Sequence, residues 1–342
     1  MLNLVTGGAG FIGAHLVQAL IDRGEDVRVL DLKKPHGVNT DAEFIQGSVT
    51  DAARVAQAMR GVDAVFHLAA NAHIWAADKA VFHTLNVGGT RCILEAAVRA
   101  GAAHMVHASS LTVLVGKDTG LKQAVTIDES HSLTAADMLG AYPLSKFNAE
   151  RLALEAARAG FNTRIAIPTL PVGPGDFGLT PPSTMILDLV NGTTPAIVKC
   201  LLNLIDVRDI ADGMIRIRDR GRTGERYILG KENMWMRELC MLLHDISGAP
   251  VPKRRVPSGM ILLAGAVNEW IADHLTHRPP TAPLTGVRLA RRIVHFDTTK
   301  AATALGFNPR PVETSLADQV NWFHAQGLLK RPLTGRPQLP AA

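Results

Sequence analysis

Cysteine is nearly missing from this 342-residue sequence. The three present, Cys92, Cys200 and Cys240, stand singly, with no CxxC and no metal-type spacing. Neither a disulfide nor a metal centre is expected, and each thiol reads as a small buried apolar side chain. Long hydrophobic runs are also lacking. The most lipid-like stretch, Met260 to Ile271, is too short to span a bilayer and contains Asn268 and Glu269, which predicts a helix burying one face and no membrane span. Ahead of the first glycines there is no charged segment, apolar segment and cleavage site in series, so the expected setting is cytoplasmic. Aromatic residues make up 5% of the chain and do not interleave with the basic ones, so no nucleic-acid partner is expected.

What is present is an ordinary globular composition, 47% hydrophobic and 20% charged, with the basic excess at one end. Residues 251–342 hold 12 Lys or Arg against 5 Asp or Glu, and the rest of the chain holds 24 against 26. Mostly dispersed, apart from Lys253-Arg254-Arg255 and Arg291-Arg292, these basic residues read as solvated surface or as the surroundings of an anionic small-molecule substrate.

Short apolar runs alternate with segments of helical periodicity through the first half. Leu2 to Thr6, Val27 to Leu30, Phe44 to Ile45, Ala64 to Leu68, His104 to His107 and Thr163 to Ile167 read as buried strands. Between them Ala14 to Arg23, Ala53 to Met59, Val87 to Ala100 and Pro143 to Ala159 read as crossover helices. The alternation predicts an α/β fold with a doubly wound parallel (Rossmann) sheet and a smaller, discontinuous C-terminal substrate domain. The expected division is 1–170 plus 203–230 for the nucleotide-binding domain and 171–202 plus 231–330 for the substrate domain, with 331–342 a flexible tail. A Pro/Gly-rich stretch from Pro171 to Pro182 marks a boundary or a site-forming loop, and Leu204 to Val207 and Arg226 to Leu229 read as strands returning to the sheet.

Directly after the first strand runs Thr6-Gly7-Gly8-Ala9-Gly10-Phe11-Ile12-Gly13. Gly7, Gly10 and Gly13, set between strand and helix, make a tight turn, let backbone amides approach a pyrophosphate and let the helix pack on the strand. The helix N-terminus then stabilises the phosphate charge. Asp31 closes the second strand, where a carboxylate accepts hydrogen bonds from the adenosine ribose and opposes a 2′-phosphate. This favours NAD, while Lys33 and Lys34 leave NADP open. Further on, Tyr142-Pro143-Leu144-Ser145-Lys146 puts a phenol and an ammonium four residues apart, on one face of a helix. A cation there favours the phenolate and draws a tyrosine towards general acid–base work.

With HLAA at 67–70, NVGGT at 86–90 and SS at 109–110 in the same order, the sequence resembles the extended short-chain dehydrogenase/reductases (the NAD-dependent epimerase/dehydratase family). It is most similar to their hopanoid-associated sugar epimerase and dihydroflavonol-4-reductase-like groups. The resemblance continues through IPTLPVGPGD at 167–176, NLIDVRDIADG at 203–213, GERYILG at 224–230 and FDTTKAATALGFNPR at 296–310. It implies that Tyr142 exchanges a proton with the substrate oxygen, that Ser110 holds the same oxygen, and that Lys146 binds the nicotinamide ribose and tunes Tyr142. It further implies cofactor contacts from Gly7, Gly10, Phe11, Ile12, Gly13, Asp31 and Lys33. Leu68, Ala69 and Ala70 would line the adenine-ribose and phosphate side, with Pro168 and Thr169 near the carboxamide. A homodimer joined through the helices from Val87 and Pro143 is also implied, with Ile93, Leu94, Ala97, Leu152, Leu154 and Ala157 supplying the apolar surface, some of them facing the sheet instead. Two positions depart from the pattern. Gly47-Ser48-Val49 replaces a Gly-Asp at the adenine, leaving Ser48 and Val49 there, and Leu170 replaces the Asn of galactose-type nucleotide-sugar epimerases.

Three activities fit these motifs: a ketone or aldehyde reductase or dehydrogenase, a nucleotide-sugar epimerase with tightly held NAD, and a non-catalytic NAD(P)-sensing protein. The intact Ser110, Tyr142 and Lys146 favour an enzyme, and Leu170 favours the reductase. His67, His73, His83, His104 and His107 have no metal spacing, and His73 and Trp75 are candidates for the pocket wall.

Overall fold

The computed structural model describes residues 1–34, 41–256 and 258–334. Seven strands form the main sheet: β1 (Leu2–Thr6), β2 (Asp26–Asp31), β3 (Glu43–Gln46), β4 (Ala64–His67), β5 (His104–Ala108), β6 (Thr163–Pro168) and β7 (Arg226–Leu229). Their order is β7-β6-β5-β4-β1-β2-β3, and every pair is parallel. The strand order reverses between β1 and β4, which opens a crevice at the carboxyl ends where dinucleotides bind in such sheets.

Helices cover both faces, as a parallel sheet buried on two sides requires. α1 (Phe11–Asp22) and α5 (Val207–Arg220) lie together on one face, and α2 (Ala52–Ala58), α3 (Gly89–Ala100) and α4 (Ala141–Arg158) on the other. On α1 the residues Leu16, Val17 and Leu20 recur at helical spacing and are fully buried against Val5, Val29 and Phe66. Each such side chain contributes roughly 1.5–3 kcal/mol.

Of the two later strands expected to rejoin the sheet, only Arg226–Leu229 does so. Leu201–Asp206 instead pairs parallel with Leu170–Val172 and antiparallel with Glu232–Trp235 in a separate three-stranded sheet. The helices Pro181–Asn191, Met236–Ser247 and Val312–Ala325 pack over it around Leu189, Leu243 and Phe323. The expected tail is ordered at its start: Leu333 packs on this second core, and the Thr334 amide donates to the Ser247 carbonyl at 3.2 Å. The remainder of that expectation, 335–342, lies outside the described residues.

Two expectations about helix faces change. Ile93 and Ala97 of α3 are fully buried beneath the helix, against the sheet, and Val98 is the large apolar residue of α3 that stands out, 56% exposed. In the helix Ser258–Ile271, Asn268 and Glu269 lie on the partly buried side, and Met260, Leu263, Val267 and Trp270 face outward. Among the described residues no helix is long and apolar enough to cross a membrane.

Candidate active site

The glycine turn fits between β1 and α1 because its positions have no side chains. Gly7 has φ +74°, and a Cβ on it would lie 2.7 Å from the Ala69 amide nitrogen; one on Gly13 would lie 2.1 Å from the Gly7 carbonyl oxygen. The turn closes through the Gly10 amide donating to Gly7 O at 3.1 Å, and Gly10 heads α1 without a side-chain cap. Among the described residues no side chain caps that helix start, which leaves its first amides for a group such as a pyrophosphate. Asp31 stands at the end of β2 with Oδ2 accepting from the Ala9 amide at 2.9 Å and Oδ1 from the Leu32 amide at 2.7 Å. Its carboxylate therefore braces the turn that Gly7 begins. The residues present fit a dinucleotide.

The other expected cofactor contacts surround the same crevice. Phe11 is buried in the first turn of α1 with Ile12 half-buried beside it, and Leu68, Ala69 and Ala70 continue from β4 half-buried. The Ser48 hydroxyl pairs with Thr50 at 2.7 Å, and Val49 is buried where a Cβ on Gly89 would meet it at 2.5 Å. Lys33 is exposed. Pro168 ends β6, and the Thr169 hydroxyl donates to the Leu229 carbonyl at 3.3 Å.

Ser110, Tyr142 and Lys146 converge at the carboxyl end of β5. Ser110 heads the turn Leu111–Leu114, its Oγ accepting from the Thr112 amide at 3.3 Å and from the Thr112 hydroxyl at 3.1 Å. Tyr142 lies in the first turn of α4, where Pro143 is tolerated because the amide it lacks would have had no partner in the helix. The Tyr142 phenol lies near enough to the Ser110 hydroxyl for that group to draw its pKa down. Lys146, one turn later and 5% exposed, donates from Nζ to the Ala108 carbonyl at 2.6 Å. Burial lowers its ammonium pKa to about 8, against the attraction of Glu150. Burial also pushes the Tyr142 phenol above its usual 10, with the Ser110 hydroxyl pulling partly back. The expected depression of Tyr142 by Lys146 is thus not the state of this site, because burial dominates both groups and the ammonium is turned to a backbone carbonyl.

Sequence reasoning missed the groups that hold this set. Asn86, in a π-helical turn at His83–Gly88, donates to Ser145 Oγ at 2.9 Å, and Ser145 donates to the Tyr142 carbonyl at 2.7 Å. The Asn86 side-chain oxygen also accepts from the Asn71 amide at 2.7 Å, so one amide fastens the loop after β4 to the start of α4. Its signal was a buried polar residue inside NVGGT. Glu150, one turn beyond Lys146, accepts from Ser109 and from Arg226 Nη1 at 3.2 Å. His67 is hydrogen-bonded with Thr6 at 2.7 Å and Thr90 at 3.0 Å, and burial holds its pKa down to about 3, so it is neutral. The buried His107 ring lies 5.5 Å from it, likewise held neutral by burial and by Lys146.

Segments far apart in sequence meet around the start of α4, on the side we take as the mouth of the site. The Phe82 ring meets Tyr142 edge-on at 6.1 Å. Trp75, 8% exposed, donates from Nε1 to Asp273 at 2.7 Å, and Lys79 donates to the same carboxylate at 2.9 Å. His73 is exposed on the same loop. Thr285 lies against Gly140, two residues before Tyr142, and Ile74 lies against Gly286.

The chain is similar to known proteins over most of its length. The profile of the NAD dependent epimerase/dehydratase family matches residues 3–230. A putative dihydroflavonol 4-reductase of Synechocystis is 37% identical over 333 residues, 95% of each chain. A 4-hydroxy-2-methyl-3-oxo-4-farnesyl-3,4-dihydroquinoline-1-oxide ketoreductase of Stigmatella aurantiaca is 31% identical over 91% of this chain and 92% of its own. The crystal structure of a double mutant of the dTDP-glucose 4,6-dehydratase from Streptomyces venezuelae, with NAD bound, superposes with a TM-score of 0.75 at 26% identity, covering 96% of this chain and 99% of that one. By profile, relatives and fold, the chain belongs to the NAD-dependent epimerase/dehydratase family, whose members are NAD-dependent oxidoreductases, epimerases and dehydratases of the extended short-chain dehydrogenase/reductase type.

Proposed function

We propose that the protein is a reductase or dehydrogenase acting between a carbonyl and a carbinol, with Ser110, Tyr142 and Lys146 as its catalytic set. The observation that carries this reading is the placement of Ser110 at the end of β5 and of Tyr142 at the start of α4, with the buried Lys146 ammonium one helical turn beyond Tyr142 and donating to the Ala108 carbonyl. Gly7, Gly10 and Gly13 with the amides at the start of α1 would hold the pyrophosphate of NAD, and Asp31 the adenosine ribose. Held there, the cofactor would supply the hydride chemistry at the substrate carbon. Tyr142, a phenol protonated at neutral pH, gives its proton to the carbonyl oxygen as the carbinol forms, and takes it back in the reverse direction. Ser110 donates to the same oxygen and stabilises the charge that develops on it. Lys146 would turn from the Ala108 carbonyl to the nicotinamide ribose and hold positive charge beside the phenol.

Leu170 supports a reductase over a nucleotide-sugar epimerase. Its side chain is half-buried among the apolar residues of the second core and has no group to hydrogen-bond a sugar. Relatives named as reductases at 37% and 31% identity support the same choice. We also infer a homodimer formed through the outer faces of α3 and α4, with Val98 at its centre, and a cytoplasmic setting. Native mass spectrometry of the purified protein tests the reaction type. The reductase reading expects a subunit without retained NAD that consumes one NADH per carbonyl reduced; a stoichiometrically retained NAD with no net consumption would make it an epimerase.

A further inference from the structure

The helix Ser258–Ile271 and its π-helical extension Ala272–Thr276 have their polarity reversed. Met260 is 64% exposed, Leu263 70%, Val267 50%, Trp270 56% and Leu275 65%, and the spacing of three to five residues puts them on one face. The acidic residues lie on the other side. Glu269 accepts from the Leu284 amide at 2.7 Å, and Asp273 from Trp75 and Lys79. Over about 28 Å of helix the outward face is thus apolar, and the carboxylates serve as tethers to the body of the protein. Isolated exposed apolar residues are ordinary, but a continuous stripe marks an interaction surface.

The charges around the stripe identify what covers it. The chain enters the helix through Lys253 and Arg254 and leaves it through His274, His277 and Arg278, all exposed. Between 253 and 292 the sequence has seven Lys or Arg and two acidic residues, the tethered Glu269 and Asp273. A second copy of this chain fits poorly, since pairing two such helices in either direction brings a basic end against a basic end. An anionic lipid surface fits both features: apolar side chains enter the acyl boundary, basic ends meet the headgroups, and an exposed indole such as Trp270, stacked on His274 at 5.1 Å, suits the interface. We propose that Ser258–Thr276 is an interfacial helix that docks the protein on an anionic membrane surface. Because Asp273 is tied to Trp75, and Thr285 and Gly286 lie against Gly140 and Ile74, docking there would bring the mouth of the Tyr142 site to the bilayer. The proposal is independent of the reaction assigned above.

Flotation with phosphatidylcholine vesicles, with and without 30% phosphatidylglycerol, tests it. We expect the wild type to float with the phosphatidylglycerol vesicles and to bind pure phosphatidylcholine at least tenfold more weakly. Leu263→Glu/Trp270→Glu and, separately, Lys253→Glu/Arg278→Glu should weaken binding at least tenfold while leaving NAD affinity and thermal unfolding unchanged. Should the first pair fail to fold, brominated acyl chains give a second readout, quenching wild-type tryptophan fluorescence more than that of Trp270→Phe. Wild type that does not float with anionic vesicles overturns the proposal, as do undiminished binding by folded variants and equal quenching of Trp270→Phe. So does a light-scattering mass that falls from dimer to monomer in Leu263→Glu/Trp270→Glu, which would show a second copy covering the stripe.

Discussion

The two sides of the active-site crevice are built on different physical grounds. On the nucleotide side, position is fixed by backbone sterics: Gly7 and Gly13 stand where any Cβ would meet backbone atoms within 3 Å, and Asp31 braces the turn through the Ala9 amide. On the mouth side, position is fixed by side-chain tethers between residues about 200 apart, Trp75 and Lys79 with Asp273, and the helix that carries Asp273 turns its apolar face away from the protein. A backbone constraint must be met within one short segment, so it leaves a local signature. A long-range tether leaves none.

Lys146 gives the largest expected departure from the resting protein, because it lies where both sides meet. Its pKa is about 8 in the fold and 10.5 for an ordinary lysine, so folding weakens its hold on the proton. The penalty is absent above 10.5, grows as pH falls towards 8 and is complete below 8, at about 3 kcal/mol for this 5% exposed side chain. Lys146→Met should therefore make the NAD-free protein more stable at pH 7 by a few kcal/mol, with a smaller gain at pH 9, while abolishing most turnover. Urea unfolding at the two pH values measures this, and a Lys146→Met protein less stable at pH 7 would show that the ammonium is well solvated by its partners.

On the nucleotide side, Asp31→Ala removes the charge that opposes a 2′-phosphate and leaves Lys33 and Lys34 nearby. The ratio of NADP to NAD affinity should rise roughly tenfold, and loss of the Ala9 hydrogen bond should cost about 1 kcal/mol of stability. Titration of both cofactors into wild type and variant checks it, and a wild type that already prefers NADP would overturn this reading of Asp31. The smallest effect is expected far from the mouth. Val98→Glu on α3 should convert a dimer to a particle near 36.6 kDa in light scattering at micromolar protein with little change in thermal unfolding; an unaltered dimer would place the interface elsewhere.

The same contrast explains what the sequence disclosed. The six strands from Leu2 to Pro168 were legible because parallel strands covered on both faces are continuous apolar runs, and α1 was legible from Leu16, Val17 and Leu20. Leu201–Asp206 reads like those strands but joins another sheet, because a single strand's pattern does not name its neighbours. Of the six residues read as the apolar surface of α3 and α4, the sequence could not say which face the sheet; Ile93 and Ala97 do. Ser110, Tyr142 and Lys146 came from their spacing and order. Asn86 and the Ser109–Glu150–Arg226 chain did not, since their partners lie 15 to 76 residues away. The pKa of Tyr142 was read with the wrong sign because four-residue spacing reports proximity and not burial.

The central claim is that Tyr142 moves the proton at the substrate oxygen while the nucleotide side acts independently of it. The direct measurement is steady-state turnover of Tyr142→Phe alongside its NAD affinity by calorimetry, in a carbonyl reduction followed by NADH oxidation. The account predicts turnover lower by a factor on the order of a hundred to ten thousand with NAD affinity within about twofold of wild type, since no part of the Gly7–Gly13 turn or of Asp31 touches the phenol. Near-normal turnover by Tyr142→Phe would contradict it.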